Sequence, residues 1–342
     1  MPSVFWKYVP LKPIFYNGLN KLFGLRFLSW HTQAPLPVAR RNPSAVVVND
    51  KIYVFGGDEF EKYVDGYLIT IPGADVLEYD MASGAWSTVG TMPTPRSHCA
   101  ALRYGATKIC VVGGFSKEPY SWGKSNAIQI FDVATKTWSS GGTIQMPTTL
   151  YAAVLIEDRY IYAFGGLGGE ASGFHHSNYV YRQDIVDNLS SWPGTYTPMP
   201  TPRYGLSAVV GKDGLIYALG GMNDAGALAT VEAYDPAANT WQTRSPMLMA
   251  RRQFDAVVGP NGHIYAFGGM SMGAAIPWAE KYDPTTDSWS PLPDLPGARM
   301  DHAAVLAPDN RIFVIGGQEK DGCFADAVFL DAVIASSEPV TD

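Results

Sequence analysis

The sequence predicts an all-β fold assembled from one short unit repeated six times, and three observations support it. Gly-Gly pairs stand at Gly56-Gly57, Gly113-Gly114, Gly165-Gly166, Gly220-Gly221, Gly268-Gly269 and Gly316-Gly317, each after an apolar run such as IYVF, IYAF or IFVI. Tryptophans keep the same order at Trp30, Trp86, Trp138, Trp192, Trp241 and Trp289. The 35 Gly and 25 Pro are spread along the whole chain, as many short strands joined by tight turns require, and helical periodicity is scarce.

The units are locked in phase. Successive Gly pairs lie 48 to 57 residues apart, a period that marks a repeat architecture and overrides the two-domain expectation that 342 residues would otherwise raise. Ten residues after the Trp comes Arg40, Arg96, Thr148, Arg251 or Arg299, and Arg203 comes eleven after Trp192. Within a unit the apolar run reads as a buried strand, and Gly at its end permits positive φ and leaves room for a large neighbour. A stretch such as EAYDPAANTW then reads as strand, turn and strand, with the Trp offering a broad apolar face for packing between units.

The succession of apolar strand, Gly-Gly, EAYDPAANTW and MPTPR resembles the kelch motif, and the likeness runs from about Arg26 to Ile334. The resemblance implies a six-bladed β-propeller whose blades are four-stranded antiparallel sheets around a central channel. Trp30 and Arg40 precede the first Gly pair, whereas the last pair is followed by QEKDGCFADAVFLDAVIA and no Trp. The sixth blade is therefore expected to be split, with LRFLSWHT from the amino-terminal end as its outer strand, closing the ring and removing open sheet edges. A basic aromatic arm over residues 1–25, the propeller over 26–334 and a tail over 335–342 complete the expected organisation.

Composition narrows the function. Cys99, Cys110 and Cys323 are odd in number and lack C-x-x-C spacing, so neither a disulfide framework nor a zinc knuckle is expected, and reduced thiols fit a cytoplasmic protein. No apolar run reaches the length of a membrane span, and Pro2, Pro10 and Pro13 interrupt any signal-peptide pattern. The first 49 residues hold six bases and no acid, leaving 19 bases against 32 acids, so the body is not expected to seek nucleic acid. Three uses are open to the arm: packing on the propeller, docking to a partner subunit, or membrane contact through Trp6, Tyr8, Phe15, Tyr16 and Phe23 with lysines between them.

With strands a to d counted outward from the channel, the d-to-a connections and the b-to-c loops share one face. The first set supplies Arg40, Arg96, Arg203, Arg251 and Arg299, with Arg41 and Arg252 adjoining and Thr148 as a neutral gap. The second supplies Phe60, Tyr63, Tyr67, Phe115, Tyr120, Trp122, Phe174, His175, His176 and Trp278. Long irregular loops on a rigid scaffold are where binding usually resides. Two roles are open to the arginines: tying a neighbouring blade's carbonyls, or forming an electropositive mouth that takes carboxylates bidentately.

Some kelch adaptors use such positions for acidic peptides. By that resemblance Arg40, Arg96, Arg203, Arg251 and Arg299, and by their place in the loops Tyr63, Tyr120, Trp122, Phe174, His175 and Trp278, are the expected ligand-binding set. Asn42, His98, Gln253 and Asp301 stand two residues after the Arg, with His302 and Asp255 deeper. Proton transfer is one reading of these groups and satisfaction of buried polar partners the other. His175 and His176 point apart in a strand, and neither a phosphate-binding loop nor G-x-S-x-G is present, so no metal or cofactor is expected. The expected function is a binding module presenting a loop-rich, arginine-lined face to an acidic peptide, an acidic protein or a small anion. The alternative, by resemblance to bacterial kelch propellers that are sialic acid mutarotases, is an enzyme acting on a carboxylated sugar at the same face, with no catalytic residue assigned.

Overall fold

The computed structural model describes residues 28–330 apart from 65–66, 119–120, 146–147, 171–172, 191–194, 320–321 and 324–325. The expected arm over 1–25 and tail over 335–342 lie outside the described residues, as do Tyr120 and Trp192. Among the described residues there is no helix, and the strands form six four-stranded antiparallel sheets. The first sheet runs Ser44–Val48, Lys51–Phe55, Asp75–Asp80 and Ala85–Thr91 from its first strand outward. The next four start at Ala100–Tyr104, Ala152–Ile156, Ser207–Val210 and Asp255–Val258. The sixth orders Ala303–Leu306, Ile312–Ile315, Ala327–Leu330 and then Trp30–Gln33 from the other end of the sequence, with Trp30 opposite Leu330 and Gln33 opposite Ala327.

The apolar runs form the second strand of each sheet and are its most buried part: Ile52, Val54, Phe55, Ile264 and Phe267 expose no surface. The EAYDPAANTW pattern folds as expected. Asp235 accepts the N–H groups of Ala237 and Ala238, and Asn239 turns the chain at φ 55° so that Trp241 lands opposite Tyr234. Equivalent Asp turns are built at Asp80 and Asp132. The tryptophans then join sheets. Trp241 packs against Tyr234 of its own sheet and, edge-on at 5.8 Å, against Phe164 of the sheet before, and its indole N–H donates to Thr197 O. Trp138 meets Phe55 and Trp30 meets Phe267 in the same way.

First strands also touch across sheets, each against the next in sequence order, and the first strand of the sixth sheet lies against that of the first. An inner strand has one side without a ladder partner, and side chains cover it. Ser44 Oγ accepts the Ala101 N–H at 2.7 Å, and the Asp255 carboxylate accepts the Ala304 N–H at 2.8 Å. Trp30–Gln33 completes the sixth sheet and Trp30 fills its junction with the fifth, so deleting residues 1–33 is expected to give insoluble or strongly destabilised protein. Deleting residues 1–22 should leave solubility and melting midpoint near those of the full chain. Equal behaviour of the two truncations, measured by soluble yield and thermal melting, would show that the strand contributes nothing.

Candidate functional site

The segment after each Gly pair folds back as a hairpin, and the residue after each repeat Arg bridges to it. Arg41 pairs with Asp58, and bridges join Ser97 to Phe115, Tyr204 to Met222, Arg252 to Met270 and Met300 to Gln318. Thr149 pairs with Leu167 at the corresponding place in the third unit. The connections between sheets and the hairpins therefore do share a face. Short turns such as 105–107, 212–214 and 260–262 occupy the other end.

The five arginines start at this face but turn away from it. Arg40, Arg96, Arg203, Arg251 and Arg299 are at most 1% exposed, and each donates from Nη1 to the carbonyl of the first Gly of its own sheet's pair, at 2.9 to 3.3 Å. Four take a second carbonyl at the start of the third strand: Asp75, Ala127, Thr230 or Trp278. Buried carboxylates balance two of them, Glu232 for Arg203 at 2.8 Å and Glu280 for Arg251 at 2.6 Å. Arg40 pairs with Glu59 and Arg299 with Asp326. Burial pulls Arg203 down to about 10, against the attraction of Glu232.

The arginine's main chain does the rest. Its carbonyl accepts the N–H of the second Gly in the preceding sheet, from Gly57 to Arg96, Gly166 to Arg203, Gly221 to Arg251, Gly269 to Arg299 and Gly317 to Arg40, at 2.8 to 2.9 Å. A Cβ on Gly220 would lie 2.6 Å from the Arg251 carbonyl, and its φ of 56° is a second reason for Gly there. Arginines that line an open mouth are thus not what the geometry provides, because their guanidinium groups are buried and directed at carbonyls inside the protein. The carbonyls tied by the side chain belong to the arginine's own sheet, and the link to the neighbouring sheet runs through the backbone.

What the inner ends of the connections bring together instead is a set of residues two positions further on. Asn42, His98, Leu150, Gly205, Gln253 and Asp301 all have φ between 51° and 62°. Five main-chain bonds join them in succession: Asn42 to Asp301, His98 to Asn42, Gly205 to Leu150, Gln253 to Gly205 and Asp301 to Gln253. They enclose a throat of about 150 Å³ that continues into a channel of about 430 Å³ lined by the six first strands. Asp301 accepts from the Gln253 and Gln318 amides at 2.8 and 2.7 Å, and Arg41 lies between Asp58 at 3.4 Å and Gln318 Oε1 at 3.2 Å. Burial holds His98 below the ordinary imidazole range and Asp301 above the carboxylate range, each partly offset by the other. Deeper, burial pushes Asp255 up to about 6 although Ser207 and the Ala256 and Ala304 N–H groups donate to it.

Of the remaining expected ligand residues, Tyr63, Trp122 and Phe174 lie in hairpin strands, and their side chains lie outside the described residues. His175 is exposed with its ring against Gly168, and half-buried Trp278 follows the fifth hairpin. Tyr204 escaped sequence reasoning. Its ring stacks on His176 at 5.3 Å, and Arg252 lies over it, donating to its hydroxyl and to Met270 Sδ. Its position one residue after the repeat Arg was the available signal.

Four-stranded sheets in series, tied by an arginine and a Gly pair, define a repeat protein of the β-propeller type. The chain belongs to the kelch-repeat family: it matches the KLHDC2/KLHL20/DRC7 Kelch-repeats domain over residues 19–166 and 150–337. Relatives include alpha-scruin of Limulus polyphemus, 26% identical over 66% of this chain and 24% of the relative. The Kelch-like protein terF of Aspergillus terreus is 29% identical over 62% and 46%, and the Kelch domain-containing protein 10 of Xenopus tropicalis 26% identical over 69% and 59%. The chain thus spans less than two thirds of each of these relatives.

Arg203→Ala leaves Glu232 as an unpaired buried charge and is expected to cost about 3 to 5 kcal/mol. Arg96→Ala strands only the Gly113 and Ala127 carbonyls and should cost about 1 to 3 kcal/mol, with urea titration ranking the two. Asp255 gives a pH signature. Its folded value lies above the unfolded one near 4, so ionisation destabilises the fold, and stability falls as pH rises from about 4 to 6. Denaturation at pH 4.5 and 7.5 should show wild type losing more stability than Asp255→Asn, and parallel losses would contradict the assignment.

Proposed function

We propose that the chain is a six-bladed propeller, closed where Trp30–Gln33 completes the sixth sheet, that serves as a protein-interaction module docking its partner on the hairpin face. For closure, the Gly317-to-Arg40 and Asn42-to-Asp301 bonds join the sixth unit to the first as their counterparts join other neighbours. For binding, the observation that carries the reading is the asymmetry of the two ends. One presents six hairpins with Met272 at 89% exposure, and the other mostly tight turns. Membership of the kelch-repeat family supports the same class of function.

An acidic element in the partner would meet Arg252. This guanidinium lies 5.9 Å from the centre of the Tyr204 ring, donates to its hydroxyl at 3.2 Å, and has no carboxylate partner among the described residues. The five tie arginines are spent elsewhere, so the preference for acidic ligands narrows to this place. The test compares a hairpin-face double variant, Arg252→Glu with Met272→Glu, and an opposite-end variant, Ala106→Glu with Lys108→Glu, in affinity capture. Both should melt like wild type. A partner retained by the second and lost by the first is expected, and the reverse would exclude the hairpin face.

A further inference from the structure

We propose that the throat and the channel beneath it form a binding site for a primary ammonium group, carried by a free alkylamine or by the tip of a lysine side chain, with Asp301 and Asp255 as its counter-charges. This goes beyond the docking reading and does not depend on it. The two cavities are continuous, since Cys99, Tyr151, Leu206 and Phe254 line both. Asp301 stands at the upper level and Asp255 at the lower. Neither carboxylate has an ion pair among the described residues: amides hold Asp301, and a hydroxyl with two N–H groups holds Asp255. A carboxylate buried without a cation is costly, and an arriving ammonium group removes that cost.

His302 is the independent observation. It lines the throat, is 6% exposed, and neither ring nitrogen has a well-formed hydrogen bond, although the Phe267 carbonyl is close enough to favour the protonated ring. Burial, with Arg299 and Arg251 nearby, holds it at about 3, so the ring is neutral and adds no positive charge at the throat. Cations near the site are committed: Arg41 to Asp58 and Gln318, Arg251 to Glu280, and Arg299 to Asp326. Arg103 is exposed along the channel wall and held to the Gly105 carbonyl. Leu150, Leu206 and Phe254 give the throat apolar walls for a methylene stem. Left-handed backbone accounts for polar residues at Asn42, His98 and Asp301, but not for Asp255 or His302, which lie deeper.

The test titrates the full chain with n-butylammonium chloride, with 1-butanol and sodium butyrate as controls, and follows amide chemical shifts. Saturable shifts at Gln253, Asp255 and Asp301 are expected for the amine alone, with affinity lowered roughly tenfold or more in Asp301→Asn and Asp255→Asn. Asn tolerates the φ of 56° at position 301, and shift mapping on the unaltered chain keeps the test decisive if a variant does not fold. An acetyl-Gly-Lys-Gly amide that binds while its acetyl-lysine form does not assigns the site to lysine tips; butylammonium binding without peptide binding assigns it to free amines. The Arg252→Glu, Met272→Glu protein should bind butylammonium unchanged, which separates this site from the docking face. Equal responses to butylammonium and 1-butanol, shifts confined to other surfaces, or undiminished affinity in both Asn variants would overturn the proposal.

Discussion

One residue type carries the main-chain link between neighbouring sheets at five junctions. Each repeat Arg gives its guanidinium to the first Gly carbonyl of its own sheet and its main-chain carbonyl to the second Gly N–H of the sheet before. Positive φ at both glycines exposes the polar groups that the Arg then satisfies. Burying a guanidinium costs several kcal/mol, which explains why Glu232, Glu280, Glu59 and Asp326 accompany it. The same geometry that looks electropositive in sequence is close to neutral once folded.

The departures from this scheme gather in the second and third units. Where the fourth and fifth sheets place Glu232 and Glu280 opposite Ala218 and Ala266, the second places Gln129 opposite Val111, and its Oε1 is buried without a partner. Arg96 consequently depends on carbonyls alone, and burial lowers its proton affinity with no carboxylate to oppose it. In the third unit Thr148 replaces the Arg, and Leu150 occupies a left-handed position that a branched apolar side chain seldom takes. Tyr151 partly makes up for this by donating to the Val112 carbonyl in the second sheet at 2.8 Å. This junction relies on side chains where the others rely on backbone.

Much of the fold was legible because repetition turns weak signals into strong ones. The Gly pairs, the Trp positions and the Asp turns each recur in phase, and the displaced strand at Trp30 followed from counting them. The direction of the arginine side chains was not legible, since an Arg that faces water and an Arg that caps carbonyls occupy the same phase. A usable signal existed in the Glu 29 residues after Arg203 and after Arg251, but the other three arginines lack it at that spacing. The throat was half visible: the residues two beyond the Arg were singled out, while Asp58 and Gln318, which hold Arg41 and Asp301, come from hairpins whose return path no local pattern specifies.

The polarity of that throat begins as a conformational requirement. Six segments of the chain must turn through left-handed backbone to pass from a connection into a first strand, and outside glycine that region favours Asn, Asp and His. Asn42, His98 and Asp301 satisfy the turn first, and the main-chain bonds from Asn42 to Asp301 and from His98 to Asn42 hold them side by side. Their side chains are then concentrated in a small volume away from bulk water, where burial shifts His98 and Asp301 in opposite directions. Chemistry at the axis is therefore a consequence of how the units join. A unit that changed its turn residue would alter the electrostatics of the opening while leaving the arginine ties, and so the fold, in place.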